Sequence, residues 1–266
     1  MQENKAKSGK DFFWLNLREL PYFRALVRAV ESAYYQDYDL QEPTLDVGCG
    51  DGHFARITFD RNIQTGIDPW WKPLHVANQG QYDILIQCDG AKIPYQDGHF
   101  GSAVSNSVLE HIPHVQDVLK DVGRVLKPGA LFLFCVPNPR YLSELSIAGI
   151  FRTLKLNGLA NWYTEWFRKI SRVSHAVDQK VWYRWLDEAG FEVVKDWDYF
   201  SPQSMHTLEW GHYFGAPTLL AKLIFKKWII APTHWNLGIT DRIIRPYAGL
   251  EAHPRGTFTF YVTRKK

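Results

Sequence analysis

Thr44–Val47, a short run suited to a strand, leads directly into Gly48, Gly50 and Gly52 and then into an amphipathic stretch that begins at His53. Glycines at alternate positions permit left-handed backbone and strip the loop of Cβ atoms, so an extended ligand can lie against the main chain. A strand, a bare loop and a helix in that order open a parallel α/β sheet, in which ligands bind beyond the carboxyl ends of the strands. The residues that follow keep the rhythm. Strands are expected at Thr65–Asp68, Asp83–Gln87, Gly101–Ser105 and Ala130–Val136, alternating with helices at His53–Phe59, Pro73 to about Asn78, and His114–Leu126. In "KPGA" a proline and a glycine stand where the last of these helices should stop.

Beyond Val136 the alternation breaks. Residues 137–177 read as an insertion, after which a helix at Gln179–Glu188, stopped by Gly190, and a strand at Phe191–Trp197 resume the pattern. Residues 201–255 form a second insertion rich in aromatics and prolines, and "TFTFYVT", Thr257–Thr263, alternates like a strand returning to the sheet. Ahead of the first strand, residues 11–38 read as a helical layer anchored by Phe12, Phe13, Trp14, Leu26, Val27 and Val30. The expected organisation is one domain over residues 1–266, with a cofactor-binding core at 43–136 and both insertions covering the substrate side. Eight of the 11 tryptophans fall between Trp162 and Trp235, which points to a large apolar cavity or contact surface there.

The net charge of +3 carries no polyanion signal, so nucleic acid is not expected as a partner. Its distribution is uneven: residues 201–266 hold nine Lys or Arg against three Asp or Glu. Cys49, Cys88 and Cys135 show no CxxC spacing, which predicts neither disulfides nor a metal site and suits a reducing, cytoplasmic setting. No run approaches the roughly 18 apolar residues of a spanning helix, and the first twenty residues lack the apolar core of a secretory leader.

Spacing separates two kinds of nucleotide loop. A G-x-G-x-x-G that starts at Gly48 needs its third glycine at position 53, which is His53, whereas the third glycine stands at 52. This opposes the competing reading, an NAD(P)-dependent oxidoreductase. Asp46, just before the loop, would face an ammonium group well and a pyrophosphate poorly.

Asp46-x-Gly48-x-Gly50-x-Gly52 resembles the first motif of the class I S-adenosylmethionine-dependent methyltransferases, in particular the type 11 methyltransferase-domain family. "TGIDPW", "QCDGAKIPYQDGHFG", "SNSVLEHIPH" and "VLKPGALFLF" are similar to the family's later segments, and "WLDEAGFEVV" to its later helix and sixth strand. The detailed likeness covers residues 43–136. It implies a Rossmann-like α/β fold: a seven-stranded, mostly parallel sheet with an antiparallel last strand and helices on both faces, here with an N-terminal helical layer and substrate-side insertions. It also implies S-adenosyl-L-methionine as cofactor. Asp46, Gly48, Cys49, Gly50 and Gly52 would hold the methionine end, Asp68 with Pro69 the ribose, and Asp89, Gly90 and Ala91 the adenine. Asn106 or Ser105 would add contacts at the end of the fourth strand, while Asp51 is expected to support the turn or cap the next helix.

Methyl transfer from a sulfonium requires alignment of the acceptor and, for some acceptors, removal of a proton. The expected acceptor is an O or N atom of a small molecule or of a lipid- or glycan-linked group; a catalytically inactive cofactor-binding module is the other reading. His111 and His175 are candidate bases, with loop support or capping as their alternative roles, and His206 and His212 are weaker candidates. The [DN]-P-P-[YF] signature of base-amino methylation is absent after the fourth strand, which reads "SNSV", and no Pro-Cys pair occurs. In "APTLLAKLIFKKWIIAPTHW", Leu220, Ile224 and Trp228 recur at helical spacing beside Lys222, Lys226 and Lys227. Three readings stand open for 219–231: an interfacial helix that places the protein at the inner face of a membrane, a packed helix with solvated lysines, and a cover for a bulky apolar acceptor.

Overall fold

The computed structural model describes residues 9–77 and 80–266. Their contacts gather into two compact units. One comprises Tyr38–Pro139, Arg168–Trp197 and Phe258–Lys266; the other comprises the chain up to Asp37 with Arg140–Phe167 and Asp198–Thr257.

The first unit is built on a sheet of seven strands: β1 (Thr44–Val47), β2 (Ile63–Asp68), β3 (Tyr82–Gln87), β4 (Phe100–Asn106), β5 (Leu126–Pro137), β6 (Phe191–Tyr199) and β7 (Phe258–Lys265). Their spatial order is β3-β2-β1-β4-β5-β7-β6. β1 runs parallel to β2 and β4, β2 to β3, and β4 to β5, while β7 is antiparallel to β5 with Tyr261 opposite Phe134. This is the sheet the motifs implied. β4 is buried along its whole length, and its sequence FGSAVSN carries no charge, as a strand covered on both faces requires.

Twelve helices are described, numbered here in chain order: α1 (Phe12–Leu17), α2 (Tyr22–Tyr35), α3 (His53–Thr58), α4 (Trp71–Val76), α5 (Val115–Val125), α6 (Arg140–Ser143), α7 (Ser146–Thr153), α8 (Asn157–Ile170), α9 (Gln179–Glu188), α10 (Pro202–Phe214), α11 (Ala216–Phe225) and α12 (His234–Ile244). The expected end of the second core helix, Asn78, lies outside the described residues. α5 buries Val115, Val118, Leu119 and Val122, the i, i+3, i+4, i+7 stripe of an amphipathic helix, in the core that holds Leu45, Val47 and Phe132. α9 contributes Trp182 and Leu186, and Phe134 stacks on Tyr261 with ring centroids 4.8 Å apart. Each such side chain, fully buried, adds about 1.5–3 kcal/mol of transfer free energy.

The "KPGA" segment departs from expectation. α5 ends at Val125 and β5 begins at the next residue, so the proline and glycine sit inside the strand and not in a helix-ending turn. Pro128 disfavours a helical Lys127, so extended backbone reaches back to Leu126, which pairs with Phe100 before the register shifts; Gly129, at φ +81°, absorbs the irregularity.

In the second unit α1 and α2 form the N-terminal layer. Phe12, Phe13, Leu26 and Val30 are buried, while Trp14 is half-buried and stacks on His234 at 3.9 Å. Glu209 of α10 is fully buried and accepts hydrogen bonds from the Ser146 amide and hydroxyl at 2.6 Å, the Ile147 amide at 3.2 Å and the Tyr163 hydroxyl at 2.8 Å. An anion is thereby set at the amino end of α7, where the helix dipole favours it. The helix expected across 219–231 is broken. α11 stops at Phe225, and Lys226 takes left-handed backbone at φ +60°. The Lys222 ammonium donates to the Lys226 carbonyl at 3.2 Å and lies 5.7 Å from the Trp228 ring, which folds the chain back and leaves Trp228 off the helix. No helix among the described residues is long and apolar enough to cross a membrane.

Candidate functional site

Strand order reverses between β1 and β4, and in open α/β sheets the crevice at such a point receives the ligand. The loops that leave these two strands touch. Gly48 has φ +77°, and a Cβ there would lie 2.3 Å from Cγ1 of Val108, so a side chain is excluded on backbone and on steric grounds. The amides of Gly48 and Cys49 donate to the Ile67 carbonyl at 2.8 and 2.9 Å, and that of Gly50 to Oδ2 of Asp68 at 3.1 Å, which folds the loop onto the end of β2. At Gly50, φ +56°, a Cβ would meet nothing within 4 Å, so this face of the loop is open. Asp51 accepts the His53 amide at 3.2 Å and supports the entry to α3.

Asp46 is buried, and the Tyr82 hydroxyl donates to its Oδ2 at 2.6 Å. Tyr82 reaches it from β3 by crossing β2 at Gly66, where a Cβ would lie 2.8 Å from the ring. Asp68 is also buried; its Oδ1 accepts the Trp70 amide at 2.8 Å, and burial pushes its carboxyl above the usual range against the pull of its two amide bonds. Each oxygen retains a lone pair for a further donor. Asp89 is half exposed and accepts from the Ala91 amide at 2.9 Å and from Nε2 of His114 at 3.2 Å, contacts that hold its carboxyl below the usual value. Beside it, Gly90 approaches Val118 so closely that a Cβ would stand 3.0 Å away. The Pro69 carbonyl accepts from Gln87 at 3.1 Å. Asn106 is buried and its Oδ1 lies 3.5 Å from the Cys135 thiol, whereas Ser105 spends its hydroxyl on the Val47 carbonyl at 2.9 Å, inside the sheet.

The cysteines register the local field. Burial, then the charges of Asp46 and Asp68, raise the Cys49 thiol far above its ordinary range, and burial with Asp89 pushes Cys88 up to about 11. Burial disfavours charge of either sign there; the carboxylates of Asp46 and Asp68 add a potential that favours a cation over an anion. The acids, the open face at Gly50 and the spare acceptors on Asp68 together fit a cofactor with a cationic end and a ribose.

His111 and His175 each touch a backbone carbonyl: Nδ1 of His111 lies 2.8 Å from the Arg172 oxygen, and Nε2 of His175 lies 2.9 Å from the Ile112 oxygen. A carbonyl only accepts, so those ring nitrogens carry the protons. The amides of Ser174 and His175 both donate to the Glu110 carbonyl, and the two histidines thus join the segment after β4 to the segment before α9. In the other unit, His212 bonds to Leu208 within its own helix, with its pKa lowered by burial, and His206 borders a cleft with Ser143, Gly149 and Leu154. Sequence reasoning did not find Tyr82, Gly66, Val108 or His114 as parts of the constellation. Nor did it single out Trp70 and Trp71, which follow Pro69 and are 72% and 62% exposed.

The family model described as Methyltransferase domain (Methyltransf_23) matches residues 18–196, more than half of the chain. Its class is the one the motifs implied. An uncharacterized methyltransferase of Mycobacterium leprae is 30% identical over 91 residues, 33% of this chain and 34% of that protein. The chain thus spans about a third of the length of the curated relatives it matches first. Among solved structures, a SAM-dependent methyltransferase of Thermotoga maritima, described as a possible histamine N-methyltransferase, aligns with TM-score 0.53 and 14% identity over 96% of this chain and 93% of that one. Geranyl diphosphate C-methyltransferase of Streptomyces coelicolor, solved with Mg2+, geranyl diphosphate and S-adenosyl-L-homocysteine, aligns with TM-score 0.55 and 13% identity over 92% and 83%. At such identities the structures speak for the fold alone. By its family match this chain belongs to the Methyltransferase domain family, within the class I S-adenosylmethionine-dependent methyltransferases.

Proposed function

We propose that this protein transfers a methyl group from S-adenosyl-L-methionine to an O or N atom of a small-molecule, lipid-linked or glycan-linked acceptor. The observation that carries the reading is the acid-flanked glycine loop at the strand-order reversal, where Gly50 leaves the main chain open and Asp68 keeps unspent acceptors. When bound, the cofactor supplies an electrophilic methyl on a sulfonium centre. The chain's own residues bind and orient. In this reading Asp46 and the loop Gly48, Cys49, Gly50 and Gly52 receive the cationic methionine end. Asp68, with Pro69, accepts from the ribose hydroxyls; Asp89, Gly90 and Ala91 meet the adenine; and Asn106 contributes at the end of β4. His111, whose Nε2 lies 3.7 Å from Oε1 of Glu110, and His175 are the candidate proton acceptors.

Support for a cationic ligand comes from the carboxylates of Asp46, Asp51 and Asp68, whose charges act together on the loop. Calorimetry with S-adenosyl-L-homocysteine, S-adenosyl-L-methionine and NAD tests the cofactor, and label transfer from methyl-labelled S-adenosyl-L-methionine into acceptor pools tests the reaction. Saturable binding of the first two and not of NAD is expected. Stabilisation by NAD alone would overturn the reading.

A further inference from the structure

We infer that the α8, α10 and α11 face of the second compact unit docks on an anionic lipid bilayer. The inference begins from α11, which is packed the wrong way round for a helix in water. The small residues Thr218 and Ala221 are only half-buried and line a cleft, whereas Leu219, Leu220, Leu223 and Ile224, at i, i+1, i+4 and i+5, are 51%, 61%, 62% and 69% exposed. An ordinary amphipathic helix buries that stripe.

The stripe continues into an aromatic ladder. Phe214, 68% exposed, stacks on Trp210 at 5.8 Å; Trp210 meets Tyr213 at 6.0 Å; Tyr213 stacks on Trp166 of α8 at 6.0 Å; and Trp166 stacks on Trp162, 62% exposed, at 6.4 Å. Tryptophan and tyrosine are the side chains that settle at the boundary between acyl chains and head groups. Beneath α11 lies a cleft of about 560 Å3 lined by Leu17, Tyr22, Phe214, Trp228 and Trp235, the last 81% exposed.

Charge chooses the occupant. Lys222, Lys226 and Lys227 stand within and just after the stripe, Lys226 and Lys227 exposed, and residues 210–240 hold no Asp or Glu. Basic residues beside an exposed apolar stripe fit the anionic head groups of a bilayer. A second copy pairing through the same face would set these lysines against themselves. α11 has 10 residues, about 15 Å of helix against a hydrocarbon core of about 30 Å, so it lies on the bilayer and does not span it. The inference does not rest on the methyl-transfer reading.

Co-sedimentation of the full chain with vesicles of phosphatidylcholine alone, or with one third phosphatidylglycerol, tests it. Binding is expected to the anionic vesicles, to weaken at least tenfold on raising salt from 50 to 500 mM, and to weaken at least tenfold in Leu223→Glu/Ile224→Glu and in Lys222→Glu/Lys226→Glu/Lys227→Glu. Ile84→Glu, at an exposed position on the sheet, should bind like the unaltered protein. Fluorescence quenching by lipids brominated on their acyl chains gives a second readout on the unaltered chain, independent of how the variants fold. Failure to bind anionic vesicles at low salt, absence of quenching, or a dimer in solution that the Leu223→Glu/Ile224→Glu change dissociates would each overturn the proposal.

Discussion

The Tyr82 hydroxyl lies 2.6 Å from Oδ2 of Asp46, and both residues are buried, so three adjacent strands are tied together by one hydrogen bond passing over Gly66. The bond gives a donor to a buried carboxylate two residues ahead of Gly48. Tyr82→Phe is expected to destabilise the fold by about 1.5–3 kcal/mol, the cost of removing a hydrogen bond to a buried charged group, and to weaken S-adenosyl-L-homocysteine binding. Urea unfolding and calorimetry measure the two effects. An unchanged midpoint would show that the bond contributes nothing to stability.

Gly48 and Val108 are expected to be coupled. Gly48→Ala places a Cβ in left-handed backbone and 2.3 Å from Val108, which should cost more than about 2 kcal/mol. Val108→Ala relieves the steric part only. In the double-mutant cycle, Gly48→Ala should therefore be less damaging in the Val108→Ala background, with an interaction of at least about 0.5 kcal/mol, and simple additivity would place the loops further apart than described.

Asp68 sets a pH dependence with a definite sign. Burial raises its carboxyl above the usual value, so the folded chain holds this proton more tightly than the unfolded one. Its contribution to stability grows as pH falls through the raised pKa and is least at neutral pH. Ligand binding should run the other way, because a protonated Asp68 gives up acceptor capacity: affinity for S-adenosyl-L-homocysteine should decline on acidification, starting above the range of an ordinary aspartate. Asp68→Asn should bind weakly at every pH and lack that inflection in calorimetric titrations.

His111 and His175 are expected to act mainly by holding two segments together. His111→Ala and His175→Ala should each lower stability by about 1 kcal/mol or more, since each removes at least the hydrogen bond to a backbone carbonyl. For a clamp, kcat falls by a similar factor at all pH values and the shape of its pH profile is kept; loss of one limb of the profile in either variant would identify that histidine as the base.

Much of the first unit could be read from the chain because its signals are local. A strand, a glycine loop and a helix occupy consecutive residues, and every expected core strand overlaps an observed one. Tyr82 escaped because its role depends on the register of three strands and on a missing Cβ at Gly66, neither of which is a property of consecutive residues. "KPGA" misled because proline and glycine mark a bulge as well as a turn. At α11, periodicity showed which residues share a face and could not show that the face with leucines looks outward, since that depends on what Thr218 and Ala221 meet.

Glu209 has a consequence for how the molecule can change. One carboxylate on α10 receives donors from Ser146, Ile147 and Tyr163, residues that lie 46 to 63 positions earlier in the chain. The α7–α8 insertion is therefore not an interchangeable cassette: transplanted into a relative without its acidic counterpart it would lose the anchor of its first turn, and left behind it would strand a negative charge in apolar surroundings. Recombination or grafting should succeed only when both pieces travel together.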